Sequence, residues 1–438
     1  MGDADSAPGY LTGSARPVDR EVDAVDLPVT GELPPSLSGV YVRNGPNPVS
    51  GDPGHWFFGD GMLHGVRLQG GRAAWYRNRW VRTPTFTDGV PVRGPSTGAP
   101  NYRAGAANTS VVRHAGRTMA LVESSFPHLV DAELATLGPY DFDGRLGTAM
   151  TAHPKADPVT GELHFFGYDL FEPYLTYHRA DAAGRLDCSR PIEVPGPTMV
   201  HDMLLTERHV VFMDLPVVFD LASAMTGSMP FRWDDGYGAR LGLLDRADPT
   251  GPLRWVDVEP CYVFHTLNAY EHDGVLVAHV VRYPELWRDG AMTFAPTALW
   301  RWEVDLTGGR VHEGPVDDLA CEMPRIDDRL LGRRADRGWV LGERDGAKGL
   351  AAYDLLAGTS TWAPAGPGRV PSEPTFVAAD DTPGGPGWLL AYVYDAATDG
   401  SELCVWDADD ISAEPVARVR LPQRVPDGFH GTWLADPA

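Results

Sequence analysis

The sequence predicts an all-β fold, and three observations support this. Glycine (49 residues) and proline (39 residues) are abundant without a collagen-like period, which is typical of a turn-rich chain. Short runs rich in β-branched and aromatic residues recur between turn signals, and long helical periodicity is nearly absent. No tandem repeat is visible, so these residues alone leave open a propeller with divergent blades and a large sandwich.

The predicted strands are bounded by Gly, Asp and Pro residues. The clearest are Thr118–Glu123, His209–Val218, Gly274–Tyr283, Gly338–Arg344, Gly349–Leu355, Gly387–Asp395 and Glu402–Asp407. Two short segments, 131–138 and 215–225, are predicted to be helical. Residues 1–20 are small and polar, and we expect them to be poorly ordered. No change in composition marks a later linker, so residues 21–438 are predicted to form a single domain.

Charge and cysteine content restrict the classes of partner and the compartment. The formal net charge of −23 disfavours nucleic acid and anionic lipid as partners, because both are polyanions. The N-terminus lacks the apolar region of a signal peptide, and no run approaches the roughly 18 apolar residues of a membrane-spanning helix. The four cysteines show neither disulfide nor metal-ligand spacing. We therefore expect a cytoplasmic protein with reduced thiols, and the scarcity of lysine beside many arginines fits a GC-rich bacterial source.

Four histidines stand in distinctive short contexts. They are His153 in TAHPK, His201 in MVHDM, His265 in VFHTLNAYE and His430 in FHGTW, separated by 48, 64 and 165 residues. Only the whole fold could bring side chains so far apart in sequence together. Imidazole suits divalent iron, and a metal-bound histidine usually donates its other ring N–H to a carboxylate or carbonyl.

Three glutamates in similarly marked contexts would serve as such carboxylates. They are Glu123 in ALVESSFP, Glu322 in ACEMPRID and Glu373 in PSEPTFV. A site of two histidines and one carboxylate is less well supported, because the chain contains no HxD or HxE. A zinc site is also poorly supported, because HExxH is absent. The absence of GxGxxG after a strand and of GxxxxGK[ST] argues against an organic cofactor.

These contexts together resemble the carotenoid cleavage oxygenase family. The resemblance runs from GVYVRNGPNP (Gly39–Pro48) through HWFFGDGMLHG (His55–Gly65) to HGTWL (His430–Leu434), with the motifs in the family's order. It implies a seven-bladed β-propeller, with a dome of loops and short helices over a central iron site. It also implies Fe(II) bound by His153, His201, His265 and His430, with Glu123, Glu322 and Glu373 hydrogen-bonded to the last three in that order. Thr109 matches a threonine that some members carry close to the vacant position on the iron.

The activity implied is cleavage of a conjugated carbon–carbon double bond by O₂, giving two carbonyl products. An apolar tunnel would position the small apolar substrate, and Tyr102, Phe58, Phe126, Phe166 and Phe264 are candidate lining residues. Many stilbene-cleaving members carry a lysine just before the first glutamate, where this chain has Val122. This difference favours an apocarotenoid over hydroxystilbenes and phenylpropenes, although Tyr102 could bind a phenol.

Two further possibilities follow from the sequence. The apolar stretch 217–231 could line a tunnel mouth and touch a membrane transiently without stable insertion, or it could form a buried amphipathic helix, which we favour. A propeller can also serve only as a binding platform. The complete set of four histidines and three glutamates argues against that alternative.

Overall fold

Antiparallel sheets follow one another along the chain, and seven of them form a ring of blades. The structure is a computed structural model that describes residues 8–95, 97–225, 229–288 and 294–436. Short polar turns join neighbouring strands, as alternating β runs separated by Gly and Asp require. The expected seven-bladed propeller is confirmed, and a large sandwich is excluded.

The first four blades are simple sheets with strands in chain order. Blade 1 contains β6 (Ser110–His114), β7 (Arg117–Leu121), β8 (His128–Val130) and β9 (Thr136–Pro139). Blade 2 contains β10 (Lys155–Ala156), β11 (Leu163–Tyr168), β12 (Leu175–Ala180) and β13 (Leu186–Ile192). Blade 3 contains β14 (Met203–Leu205), β15 (His209–Asp214), β18 (Arg240–Asp245) and β19 (Arg254–Asp257), with an inserted hairpin of β16 (Val217–Phe219) and β17 (Phe231–Trp233). Blade 4 contains β20 (Tyr262–His272), β21 (Val275–Tyr283), β22 (Ala298–Asp305) and β23 (Val311–Pro315).

The last three blades complete the ring. Blade 5 contains β24 (Ala320–Arg325), β25 (Arg337–Arg344), β26 (Ala347–Asp354) and β27 (Thr359–Pro364). Blade 6 contains β28 (Arg369–Pro371), β29 (Thr375–Ala378), β30 (Gly387–Asp395), β31 (Gly400–Asp407), β32 (Ala417–Arg420) and β2 (Val29–Gly31). Blade 7 contains β33 (Gly431–Ala435), β3 (Gly39–Pro46), β4 (Gly61–Gln69), β5 (Arg72–Trp80) and β1 (Asp23–Val25).

Two pairings between the ends of the chain close the ring. In blade 7, β3 pairs with the C-terminal strand β33, from Gly39 opposite Ala435 to Arg43 opposite Gly431. In blade 6, β2 pairs with the outer strand β32. Closure of a propeller leaves only short edges exposed, which protects the sheets from pairing with other chains.

The core lies between the faces of adjacent blades. Its largest hydrophobic cluster joins blades 3, 4 and 5 and includes the fully buried Trp302 and Val340. Every residue of β3 is buried, and so are the first eight residues of β20. Strands that are buried over most of their length are expected where a sheet is covered on both sides.

Helices are short, and the segment 131–138 is not one of them. The described helices are α1 (Pro84–Asp88), α2 (Leu221–Met225) and the 3₁₀ turns Gly9–Leu11, Gly13–Ala15, Trp56–Phe58 and Asp328–Leu330. The predicted helix at 131–138 is wrong because the Asp131 carboxylate accepts the N–H groups of Glu133 and Ala135 (2.9 and 2.8 Å), which forms a turn. Leu134 adopts φ = 66°, and β9 follows.

The stretch 217–231 is not a buried amphipathic helix either. Its first three residues form β16, and α2 follows without a single buried residue. Leu221 and Met225 are 64% and 80% exposed. Residues 226–228 lie outside the described residues, and transient membrane contact stays a prediction. No helix in the described part of the chain is both long and apolar enough to span a membrane.

The N-terminal segment is held against the propeller from residue 8 onwards. Residues 1–7 lie outside the described residues. In the remainder, Ser14 donates a hydrogen bond to Asp427 (2.7 Å), and Asn47 bonds both the N–H and the carbonyl of the buried Val18 (2.8 and 2.9 Å). These contacts come from distant residues that composition does not reveal, and the poor order expected for residues 1–20 stays a prediction.

Candidate metal centre

The four marked histidines converge at the centre of the ring. His153, His201 and His430 precede the inner strands β10, β14 and β33, and His265 lies within the inner strand β20. The pairing of β20 with β21 shifts register between Val263 and Thr266. Such a bulge redirects a side chain, and here His265 points to the same place as the other three histidines.

One ring nitrogen from each histidine lies within 4.8 Å of the others. The Nε2 atoms of His153 and His201 are 3.0 Å apart, and the buried Nε2 of His265 has no hydrogen-bond partner among the described residues. Two nitrogens bound at about 2.1 Å to one transition metal would lie about 3.0 Å apart if their bonds were at right angles. The four nitrogens are thus spaced as ligands of a single ion.

Three of the histidines donate the N–H of their other ring nitrogen to a glutamate. The Nδ1 atoms of His201, His265 and His430 lie 2.5, 2.6 and 3.0 Å from carboxylate oxygens of Glu123, Glu322 and Glu373. These are the pairs that the resemblance implies. Each pair fixes the tautomer of the imidazole, so that Nε2 presents its lone pair to the centre.

Each glutamate is held in turn by a further side chain. Tyr168 donates its hydroxyl to Glu123 (2.5 Å), and Tyr283 donates to Glu322 (2.6 Å). The Arg325 guanidinium lies 3.3 Å from Glu373 and donates to the carbonyl of Gly431 (2.9 Å). The sequence did not identify these three residues, because 39 to 48 residues separate each from its glutamate.

The pKa values of the site follow from burial and from these pairs. Burial alone would raise the pKa of Glu322 and Glu373, but the interactions with His265 and with His430 and Arg325 outweigh it and lower both values. Burial, followed by the neighbouring imidazoles, holds the pKa of His153 well below its ordinary value. Ionised Glu322 and Glu373 and a neutral His153 are the forms needed for metal binding.

The charge of the site also suits a divalent cation. With neutral histidines, the three glutamates and Arg325 carry a net charge of −2, and Glu373 is only 2% exposed. Asp328, which also pairs with Arg325 at 3.2 Å, is left out of this count because it is 76% exposed and screened by solvent. An uncompensated charge of this size is costly where solvent is excluded. The donor set, the unpartnered nitrogen and the charge thus all fit one M²⁺ ion.

A cavity of about 950 Å³ opens beside the histidines. His201, His265 and His430 line it together with aromatic side chains, namely Trp56, Phe57, Phe58, Tyr102, Tyr168, Phe231, Phe264, Tyr283, Phe294 and Phe429. A largely apolar cavity of this size accommodates a small organic molecule. Met229, Pro230 and Phe231 place one end of the stretch 217–231 on its wall.

The predicted lining residues divide into two groups. Tyr102, Phe58, Phe264 and Thr109 line the cavity. Phe126 and Phe166 do not: Phe126 is 9% exposed in a cluster with Met150, and Phe166 is fully buried between blades 2 and 3. These two predictions are wrong because closeness in sequence to a marked histidine or glutamate does not determine whether a side chain faces the core or the cavity.

Thr109 stands next to His430. Its carbonyl accepts the N–H of His430 (3.2 Å), and its hydroxyl donates to the Asn108 side chain (3.0 Å). Asn108 in turn donates to the carbonyls of Phe57 and Gly59, both at 2.8 Å. Thr109 therefore connects a histidine of the centre to the aromatic wall of the cavity.

A family model and curated relatives match nearly all of this chain. The family model described as "Retinal pigment epithelial membrane protein" matches residues 15–435. The chain is 38% identical to a "Carotenoid cleavage oxygenase" of Mycobacterium tuberculosis over 98% of both chains. It is 34% identical to "Carotenoid 9,10(9',10')-cleavage dioxygenase 1" of Arabidopsis thaliana over 100% of this chain and 91% of that protein.

Solved structures show the same fold. The lignostilbene dioxygenase of Pseudomonas brassicacearum superposes with a TM-score of 0.87 at 29% identity, over 98% of this chain and 100% of that one. The cobalt-substituted oxygenase ACO of Synechocystis superposes with a TM-score of 0.85 at 26% identity, over 96% and 97%. The length of these matches shows that the chain belongs to the carotenoid cleavage oxygenase family and is an oxygenase.

Proposed function

We propose that this protein is a non-haem Fe(II) enzyme that cleaves one conjugated carbon–carbon double bond of an apocarotenoid-type substrate with O₂. The double bond is broken, and each of its carbons becomes a carbonyl in one of two products. The observation that carries this proposal is the set of four histidine nitrogens within 4.8 Å of one another at the wall of an aromatic cavity. His153, His201, His265 and His430 would hold the iron, which when bound supplies the activation of O₂.

The protein's own residues hold the ligands and the substrate. Glu123, Glu322 and Glu373 keep the Nδ1 protons of three histidines in place and so keep Nε2 available for the metal. Aromatic rings such as those of Phe57 and Phe264, with centroids 6.2 Å apart, form a wall that a conjugated chain can lie against. This wall excludes water and places one double bond next to the histidines.

The substrate class rests on two supports. Curated relatives that match nearly all of this chain are named as carotenoid-cleaving enzymes. Val122, which precedes Glu123, lines the cavity with an aliphatic side chain and so offers a phenolate no charge there. Both favour a long apolar polyene over a phenol.

A hydroxystilbene or phenylpropene is the second candidate, favoured by one polar group of the cavity wall. Tyr102 donates its hydroxyl to Asp169 (2.8 Å), and Arg93 lies 3.1 Å from the same carboxylate. The Tyr102 oxygen is thereby left free to accept a hydrogen bond from a substrate hydroxyl.

Oxygen uptake distinguishes these possibilities. The protein, loaded with Fe(II) without air, would be offered an apocarotenal in one vessel and a hydroxystilbene in another, and the carbonyl products would be identified. His265→Ala removes a proposed ligand, whereas His272→Ala changes a histidine whose side chain is 67% exposed. We expect uptake with the apocarotenal, lost in His265→Ala and kept in His272→Ala.

Each alternative outcome has a definite meaning. Uptake with the hydroxystilbene alone would establish the second candidate. Equal activity of both variants would refute the role of His265. Failure of the wild-type protein to bind iron would refute the metal site itself.

A further inference from the structure

Lysine is almost absent from this chain, and one of its lysines lies largely covered two residues after His153. Of the 37 lysine and arginine residues, only Lys155 and Lys348 are lysines. Lys348 is exposed, whereas the side chain of Lys155 is 13% exposed in the inner strand β10. An ammonium group is a compact charge, and the planar guanidinium of arginine cannot replace it in a confined space.

The partner of Lys155 is a carboxylate with every acceptor position in use. The Nζ atom lies 2.8 Å from Oδ1 of Asp202, which is 2% exposed, and it also donates to Oγ1 of Thr266 (3.1 Å). The same Oδ1 accepts the N–H of Met203 (2.7 Å). Oδ2 accepts the N–H and the hydroxyl of Thr266 (2.9 and 2.7 Å). A buried ion pair with such complete hydrogen bonding has one defined geometry.

This ion pair joins three chain segments that each carry a histidine of the centre. Lys155 comes two residues after His153, and Asp202 directly follows His201. Thr266 directly follows His265. The three segments belong to the inner strands of blades 2, 3 and 4, so the pair fixes the spacing between adjacent blades where their histidines meet.

His153 depends on this spacing most strongly. Among the described residues no carboxylate bonds to its ring, in contrast to the other three histidines. Its segment is held through the backbone instead: its N–H donates to Thr151 (3.1 Å), and Thr151 donates to the carbonyl of His201 (3.2 Å). The position of the His153 ring is therefore determined by the position of its backbone segment.

We infer that the ion pair of Lys155 with Asp202, bridged by Thr266, is the positioning device for His153. The ion pair acts on the backbone of blades 2 to 4 and so sets the position of the histidine. The glutamates act directly on the imidazole rings of the other three histidines. Lys155 acts through His153 and touches neither substrate nor metal, so it is a positioning residue. This inference rests on the metal site proposed above.

The test is a titration of the full-length apoprotein with Co(II) against a competing chelator, followed by the visible absorption bands of the bound ion. Lys155→Met is compared with Arg240→Met. Arg240 pairs with Asp214 at 2.9 Å, and the Asp214 side chain is 0% exposed, so this control also leaves a buried aspartate without its cation. In the described part of the chain, Asp214 is bonded by Thr198, Tyr237 and Arg240 and by no histidine of the centre.

We expect Lys155→Met to weaken Co(II) binding about 10- to 100-fold, the range typical for loss of a group that orients a ligand, and to shift the absorption bands. Arg240→Met should lower the thermal midpoint of the apoprotein and leave both Co(II) readouts unchanged. Lys155→Met/Asp202→Asn leaves no unpaired charge and should regain thermal stability. Its Co(II) affinity should stay low, because the link between the blades is still missing.

Two results would overturn the inference. One is wild-type Co(II) affinity and absorption in Lys155→Met. The other is recovery of affinity together with stability in the double variant, which would show that the pair only stabilises the fold. Should Lys155→Met fail to fold, Thr266→Val removes only the bridging hydroxyl, and a loss of affinity below about threefold would count equally against the inference. Absence of Co(II) binding by the wild-type protein would instead refute the proposed metal site.

Discussion

Replacing Glu322 with glutamine separates the metal affinity of this protein from its stability. Glu322 accepts a hydrogen bond from Nδ1 of His265 (2.6 Å), from Tyr283 (2.6 Å) and from the N–H of Met323 (2.7 Å). Glutamine has nearly the same shape, but it lacks the charge and exchanges one acceptor oxygen for an NH₂ group. One of these three donors must then lose its acceptor.

The size of the effect follows from the pair that is lost. A hydrogen bond to a charged group contributes about 1.5–3 kcal/mol, and a tenfold change in affinity corresponds to about 1.4 kcal/mol. Loss of the carboxylate also lowers the basicity of His265, whose pKa is held above its ordinary value because Glu322 outweighs the effect of burial. We therefore expect Fe(II) affinity to fall about 10- to 100-fold.

A partly buried histidine–glutamate pair outside the centre supplies the matched control. His209 in blade 3 lies 2.7 Å from Glu271, which also accepts the hydroxyl of Thr206 (2.6 Å). Glu271→Gln removes the same chemistry at a distance from the centre. Fe(II) affinity, measured by competition with a chelator in the absence of air, should fall only in Glu322→Gln, while the thermal midpoint should fall modestly in both variants.

The reasoning would be refuted by a Fe(II) affinity of Glu322→Gln equal to that of the wild-type protein. That result would mean that the four nitrogens are fixed by the backbone alone and that the carboxylate adds nothing to ligand basicity. A loss of affinity in Glu271→Gln as large as in Glu322→Gln would instead attribute both effects to general loosening of the propeller.

Three further predictions concern stability, the cavity and the metal. Burial lowers the pKa of His128, His178 and His279 to about 4 from 6.5, so the unfolded chain takes up these protons first as the pH falls. Stability should therefore be lost as the pH falls from 6.5 to 4. When the free energy of unfolding is measured in urea at several pH values, its slope against pH near pH 5 should be smaller in His178→Gln than in the wild-type protein by about 1.2 kcal/mol per pH unit. An unchanged slope would contradict the low pKa of His178. Phe166→Ala should lose about 3–5 kcal/mol of stability and keep its KM, because Phe166 is fully buried. Phe58→Ala should change KM with little effect on stability, because Phe58 is half-exposed on the cavity wall. The opposite pattern would contradict the placement of both residues. Chelation of the metal should lower the thermal midpoint and leave the far-ultraviolet circular dichroism unchanged, because backbone pairing between strands closes the ring. Loss of the β-sheet signal would show that the metal holds the blades together.

The histidines and glutamates could be predicted from sequence because each stands in a short context of its own. Those contexts could not show which further side chain binds each glutamate of the histidine–glutamate pairs. Tyr283 lies at the end of β21 and Arg325 at the end of β24, and neither stands out locally. Their role arises only when blades 4 to 6 come together, and such contacts across the fold leave no periodic pattern in the chain.

One strand also passes through residues that usually form turns. Arg43–Pro48 has turn chemistry, yet its first four residues belong to the fully buried strand β3. The Asn44 side chain donates to the carbonyls of Ala107 and Ser110 (2.8 and 3.2 Å), and its backbone bonds both Phe429 and His430. Tertiary hydrogen bonds therefore override the local turn preference at this position.

The charges around the centre also bear on which ion it holds. Three carboxylates and one guanidinium give −2, and the nearby pair of Lys155 and Asp202 is neutral in itself. An M²⁺ ion makes the site neutral, whereas an M³⁺ ion leaves one positive charge in surroundings where His265 and His430 are buried. Because an uncompensated buried charge is unfavourable, the protein stabilises the divalent state of a bound metal relative to the trivalent one. Neutral histidines make this possible, since a carboxylate ligand in the place of any one of them would shift the balance by one charge towards M³⁺.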